Sequence, residues 1–348
     1  MIIEGAHGLA FVATAIAVLV LHRAAPAVGL IDHPGGRRLH ARPVPLVGGL
    51  AIACGLLAAL SWRGTLAPAQ AALAWAALVI LAGGVADDCV ELSARAKLML
   101  QIAAASVLAE FGGVLLFHVG ALFSPALRGI DLSMVVPFTI LGMVGVMNAM
   151  NMIDGADGLA GGITLGALLW FGTAAWLAGM TGHASLIALI GAAVAAYLLF
   201  NTWPPLARKY KVFLGDAGSL LTGLLLGWLA IELSMAPFPA LQPVTAVWIL
   251  AVPICDSVSL MLRRLLKRRS PFKPDREHLH HLLQEAGLAP DQAVALIVAI
   301  SVAFGGIAVL AERAGVPEYA MFYLSMLIFA AYSGLSMRFF AHRSATAA

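Results

Sequence analysis

Charge is what this chain has least of. Only 11% of its 348 residues are Asp, Glu, Lys or Arg, against 61% that are apolar, and its mean hydropathy is +0.93. A soluble globular domain is about a quarter charged and about half apolar. At this length the excess is too large for one oily core, so the scarcity of charge excludes a soluble protein and leaves an all-α, polytopic membrane protein. Cysteine is scarce too. Cys54, Cys89 and Cys255 are odd in number and lack metal-ligand spacing, so no disulfide framework is implied. Lys and Arg are missing ahead of the first apolar run, which carries Glu4 instead, and the first basic residue is Arg23. A cleavable signal has the opposite order, so that run is expected to stay as a span. No internal repeat is visible.

Apolar runs are what is there. Eleven segments suit spans: 5–22, 46–62, 69–86, 98–118, 134–150, 159–179, 184–200, 218–235, 243–262, 293–311 and 317–337. Each approaches the ~20 residues that a helix needs to cross ~30 Å of hydrocarbon; 46–62 and 134–150 are the shortest and are rich in Gly or Pro. With eleven spans the connections alternate sides, and 18 of the 21 Lys and Arg fall on one side, leaving only Arg63, Arg128 and Arg313 opposite. The bias predicts an N-terminus outside and a C-terminus in the cytoplasm. Nine of the ten Asp, all but Asp131, follow the basic side. The positive-inside bias says nothing about Asp, so a shared cytoplasmic site is the simpler cause. The chain thus reads as one membrane-embedded domain, 1–348, with cytoplasmic loops at 23–45, 87–97, 148–158, 201–217 and 263–292.

The third loop is the most telling. Asn148, Asn151, Asp154 and Asp157 recur every three residues among Gly155, Gly158, Gly161 and Gly162. Carboxylates and amides beside hydrocarbon are costly unless they do something there. Oxygen donors with glycines that let a backbone approach suit a hard cation and a phosphate. A turn with Asn and Asp caps is the plainer alternative.

The other loops add partners. The first gathers Arg37, Arg38, His40 and Arg42 before Gly48-Gly49, a cationic cluster that suits an anion, although positive-inside charge alone also accounts for it. The second carries Asp87 and Asp88 with Arg95 and Lys97. Such a pair can share a cation or orient a substrate, or merely end a helix. In the fourth, Phe-Leu-Gly-Asp places Asp216 between glycines with Ser219 behind it, which suits a Mg²⁺ ligand that leaves positions open for phosphates. Phe213 suits a stacking surface for a base, or an interfacial core aromatic. The fifth holds Arg263, Arg264, His278, His280 and His281. The histidines lack a third zinc ligand at matching spacing, so phosphate or sugar binding fits them better. Asp256 and Glu110, inside apolar runs, stay unassigned: Asp256 either faces the same cavity or pairs with an Arg at the cytoplasmic end.

Taken in order, the Asp-Asp pair, Asn-x-x-Asn-x-Ile-Asp-Gly-x-Asp-Gly and Phe-x-Gly-Asp-x-Gly-Ser resemble the polyprenyl-phosphate N-acetylhexosamine-1-phosphate transferases. That superfamily includes the phospho-N-acetylmuramoyl-pentapeptide transferases. Arg-Lys-Tyr-Lys-Val-Phe-Leu-Gly-Asp and Ser-Pro-Phe-x-Pro-Asp-Arg-x-His-x-His-His resemble the branch that loads GlcNAc-1-phosphate onto undecaprenyl phosphate; Leu279 interrupts the three consecutive histidines of the pentapeptide branch. The resemblance implies eleven spans and transfer of a sugar-1-phosphate from UDP-GlcNAc, or another UDP-N-acetylhexosamine, to undecaprenyl phosphate with release of UMP. It also implies Mg²⁺, with Mn²⁺ as a substitute, membrane lipid and no nucleic acid as partners, a homodimer, and a bacterial inner membrane with the N-terminus periplasmic and the C-terminus and active site cytoplasmic.

The roles expected from it follow. Asp216 is the Mg²⁺ ligand, with Asn151 as a second oxygen donor. Asp87, Asp88 and Lys97 orient the lipid phosphate, or one of the two acids acts as base on its monoanion. Asp154 and Asp157 hold the uridine or tune the metal, with Asn148 and Phe213 lining the same wall. Arg264, His278, His280 and His281 grip the diphosphate and the sugar, and Arg37, Arg38 and His40 add anion contacts. A secondary transporter is the rival from another class, but transporters place their acids near the midplane and show repeats.

Overall fold

A computed structural model of the chain describes residues 2–34, 42–64, 68–123, 134–268 and 277–346. Fourteen helices account for nearly all of its regular structure: α1 (Ile2–Val28), α2 (Gly48–Arg63), α3 (Pro68–Val90), α4 (Ala94–Gly112), α5 (Val135–Ile153), α6 (Leu159–Leu177), α7 (Thr181–Asn201), α8 (Pro204–Tyr210), α9 (Gly215–Met235), α10 (Pro243–Ile249), α11 (Ala251–Leu266), α12 (Leu279–Glu285), α13 (Pro290–Arg313) and α14 (Glu318–Thr346). Two short strands, β1 (Ile31–Asp32) and β2 (Val44–Pro45), pair antiparallel with Ile31 opposite Pro45.

Each of the eleven expected spans coincides with a helix or with the pair α10 and α11. Among the described residues eight helices are long and apolar enough to cross a membrane, which makes the chain a multi-pass membrane protein. The pair α10–α11 is bent by 79° at Leu250 and adds a ninth if it crosses as one. Of the rest, α2 has 16 residues, about 24 Å of helix, short of the ~30 Å of hydrocarbon. α4 carries Arg95, Lys97 and Glu110 in its 19 residues. It starts four residues earlier than hydropathy suggests, because Ser93 caps it by accepting from the Ala96 N–H at 3.3 Å. Glu110 therefore lies exposed at the helix end rather than in mid-span.

The centre of the bundle is α9, buried along almost its whole length and packed against α2, α3, α5, α6 and α10. A helix apolar all round belongs at such a centre. In hydrocarbon no hydrophobic force drives helices together, so close backbone approach has to. Gly49 of α2 and Gly218 of α9 supply it: a Cβ at Gly49 would lie 2.3 Å from the Gly218 Cα, and one at Gly218 would lie 2.7 Å from the Gly49 Cα. Gly49→Val is therefore expected to cost about 1–3 kcal/mol or more by overpacking and to lower the unfolding temperature in detergent. Gly142→Val, on a face of α5 with nothing within 4 Å, should leave it unchanged. Equal melting of the two variants would mean that α2 and α9 do not touch there.

Candidate active site

The described parts of all five loops meet at one end of the bundle, and backbone hydrogen bonds stitch the first to the fourth. The Phe213 N–H donates to the Pro45 carbonyl at 2.9 Å, Gly48 N–H to Phe213 at 2.9 Å, and Gly49 N–H to Leu214 at 3.0 Å. This extended segment ends at Gly215, whose φ of +73° starts α9. A side chain there would be strained and would meet Asp88 Oδ2 at 2.7 Å.

Asp216, in the first turn of α9, is where three loops converge. Its Oδ1 accepts from Asn151 Nδ2 at 2.8 Å and its Oδ2 from Lys97 Nζ at 3.1 Å. Asn151 Nδ2 also reaches Ser219 Oγ at 2.9 Å. Lys97 bridges Asp216 to Asp87, whose Oδ2 it pairs with at close range, while Asp87 Oδ1 accepts from the Leu92 N–H at 2.7 Å. Asp88 does something different. Its two oxygens accept from the backbone N–H groups of Asp216 (2.9 Å) and Ala217 (3.3 Å). It is the N-terminal cap of α9 supplied from α3, an anion at the positive end of a helix. The adjacent acids thus part: Asp87 faces Lys97, and Asp88 holds the backbone that carries Asp216.

The third-loop motif divides between helix and turn. Asn148 and Asn151 lie in the last turns of α5, and α5 ends at Ile153. Asn148 does not face the cleft. Its amide donates to Gln101 Oε1 at 2.6 Å and accepts from Gln101 Nε2 at 3.3 Å, tying α5 to α4. Asp157 pairs with Lys211, whose ammonium lies 5.5 Å from the centre of the Phe213 ring. Asp154 meets no hydrogen-bond donor among the described residues; burial, and then the carboxylates of Asp216, Asp88 and Asp157, push it up to about 7. Of the motif's two acids, it is the one with no cation beside it among the described residues.

Asn201, which sequence reasoning missed, joins the third and fourth loops. Its Oδ1 accepts from the Gly158 N–H at 2.6 Å and its Nδ2 donates to the Val212 carbonyl at 2.9 Å. The only signal for it was an amide closing an apolar run just ahead of a basic loop.

The fifth loop closes over the third. His280 is buried and packs on Gly155, where a Cβ would lie 2.6 Å from His280 Cε1. Its ring centre is 4.0 Å from that of His281 and 5.9 Å from that of His278. Burial, then the neighbouring imidazoles, hold His280 down at about 3, so it is a neutral ring. His278 leans on Asp256 instead. Arg264 is buried on α11. Arg263 beside it donates to Ser259 Oγ at 2.9 Å, Ser336 Oγ at 2.7 Å and the Glu277 carbonyl at 2.6 Å, clamping α11 to α14 and to the end of the loop. Arg37, Arg38 and His40 lie outside the described residues.

In kind, the donors at this end suit a hard divalent cation: carboxylate and amide oxygens, with no thiolate among them. Among the described residues no group of three or more acidic, His or Cys side chains converges to hold a metal. Asp216 fits a cation held by few protein oxygens and otherwise by water and phosphate, the habit of Mg²⁺; Asn151, expected as a second oxygen donor, instead turns its amide nitrogen to Asp216 and Ser219.

Known proteins resemble this chain in sequence. The profile of glycosyl transferase family 4 matches residues 70–234, from α3 through α9, and so spans Asp87, Asp88, Asp154, Asp157 and Asp216. The chain is 36% identical over 329 residues to the undecaprenyl-phosphate alpha-N-acetylglucosaminyl 1-phosphate transferase of Escherichia coli, covering 92% of this chain and 88% of that one. It is 34% identical to the enzyme of that name from Yersinia pestis, covering 90% and 86%. With the one from Haemophilus influenzae the identity is 32%, covering 92% and 90%.

Proposed function

We propose a reaction for this chain from the premise that it belongs to glycosyl transferase family 4: transfer of GlcNAc-1-phosphate from UDP-GlcNAc to undecaprenyl phosphate, releasing UMP. The observation that carries it is the convergence of Asp87, Lys97, Asn151 and Asp216 at one end of a membrane bundle. There a lipid headgroup and a water-soluble donor can meet. The relatives' names supply the acceptor and the sugar.

The chemistry asks for little covalent help. The second pKa of a phosphate monoester is about 6, so a lipid phosphate is largely dianionic at pH 7 and already nucleophilic. One of its oxygens attacks the phosphorus that bears the sugar; the bond from that phosphorus to the bridging oxygen breaks, and UMP leaves with that oxygen. The obstacle is bringing anions together. Lys97 carries the positive charge for it, and Asp87 and Asp216 fix where that ammonium sits. Asp216, oriented by the Asn151 amide, would hold Mg²⁺, which when bound supplies charge neutralisation on the donor diphosphate. Asp88 keeps Asp216 in place. Asp154, without a partner among the described residues, and the Lys211–Phe213 surface border the same end and suit the nucleotide. The basic bias of these loops supports a cytoplasmic face in a bacterial inner membrane.

The test is UMP release by purified protein from UDP-GlcNAc, with Mg²⁺ and undecaprenyl phosphate, run beside a panel of other UDP-N-acetylhexosamines. Release that depends on all three components supports the assignment. Preference for another sugar would move the donor, and release from none would remove the reaction.

A further inference from the structure

Asp256 is the most thoroughly buried carboxylate among the described residues, 1% exposed in the middle of α11. A charge taken out of water is costly unless its oxygens are satisfied, and here three donors meet them. His278 Nδ1 lies 2.8 Å from Oδ2; the Leu279 N–H and the Tyr332 hydroxyl donate to Oδ1 at 3.0 and 2.7 Å. These donors come from both sides: His278 and Leu279 from the start of α12, Tyr332 from α14. The sequence left Asp256 between the shared cavity and an arginine partner; of the two neighbouring arginines, Arg263 is committed to Ser259, Ser336 and Glu277.

We propose that Asp256, steadied by Tyr332, is a positioning residue that fixes the ring plane and tautomer of His278, so that Nε2 is the nitrogen offered to substrate. A carboxylate accepts, so the hydrogen bond at Nδ1 requires the proton to sit on Nδ1. The other ring nitrogen is then set by its partner's bond, the logic by which a buried acid orients a working histidine. Nε2 makes no hydrogen bond among the described residues, and the side chain keeps 12% of its exposure. The ring stacks on His280 at an interplanar angle of 15°, and His280 rests on Gly155, next to Asp154. His278 is thus one ring away from the third-loop wall of the cleft. The inference rests on the transferase reading only in taking that cleft as the substrate site.

Two readouts keep inference and reading apart: steady-state UMP release, and the shift in unfolding temperature on adding UDP-GlcNAc to the full-length protein in nanodiscs. Asp256→Asn should cut kcat/KM by about a hundredfold and Tyr332→Phe by about tenfold, each with a smaller UDP-GlcNAc-induced shift than wild type. In a His278→Ala background the same changes should add less than about twofold to the loss, and nothing to the loss of the shift. A purely structural role would instead give losses that multiply in that background, and that outcome overturns the proposal, as does wild-type behaviour of Tyr332→Phe. Should Asp256→Asn fail to fold, Tyr332→Phe, which removes one hydroxyl, carries the test alone. A wild type that is stabilised by UDP-GlcNAc but releases no UMP would sink the transferase reading while leaving the thermal-shift cycle to judge Asp256.

Discussion

Asp216→Asn is expected to lower turnover about a thousandfold, the scale seen when one electrostatic contact to a reacting group is removed, while the protein stays folded in the membrane. The substitution keeps the size of the side chain and leaves the Asp216 backbone N–H on Asp88, so α9 keeps its cap. What it removes is the anionic oxygen pair that takes Asn151 on one side and Lys97 on the other. An amide there is a weaker oxygen donor to a cation, and its NH₂ would oppose either Asn151 Nδ2 or Lys97 Nζ. The check is UMP release over a range of Mg²⁺ concentrations, with unfolding temperature measured in parallel. Rescue by high Mg²⁺ would mark a loss of metal affinity, and near-normal turnover at ordinary Mg²⁺ would remove Asp216 from the metal role.

Asp216 was legible because glycines frame it: Gly215 must reach positive φ and Gly218 must admit α2, and both needs show in the string itself. The division of labour between Asp87 and Asp88 was not, since adjacent residues on a helix point about 100° apart and sequence cannot say which side faces α9. Asn148 failed for a related reason. A spacing of three reads alike in a helix and in a run of turns, and only the end of α5 at Ile153 shows that Asn148 and Asn151 stand on a helix, one toward Gln101 and the other toward Asp216. Asn201 offered only its place at the end of an apolar run and Tyr332 no local pattern; the partners of Asn201 lie 11 and 43 residues away and that of Tyr332 76. The spans were legible as apolar runs. Hydropathy is blind to the 79° bend at Leu250, because a bent span and a straight one have the same composition.

Asp87→Asn is expected to lower turnover about a hundredfold, and by the same factor from pH 6 to pH 9. Two roles for Asp87 make opposite demands here. If it takes a proton from the lipid phosphate, it matters only for the monoanion, which dominates below the second phosphate pKa of about 6. The variant would then lose most in acid and recover as pH rises and the acceptor deprotonates in solution. If it holds Lys97, the loss follows the ammonium, which stays charged throughout this range, and the pH profile of the variant runs parallel to that of wild type. The geometry favours the second. Both Asp87 oxygens are already engaged, Oδ1 by the Leu92 N–H and Oδ2 by Lys97. Removing Asp87 leaves Lys97 with Asp216 alone, drawing the ammonium toward the metal side and away from the incoming phosphate. Lys97→Met should therefore match Asp87→Asn in size and pH independence, and the double variant should lose little more than either. A loss that deepens below pH 6 would hand Asp87 the proton instead.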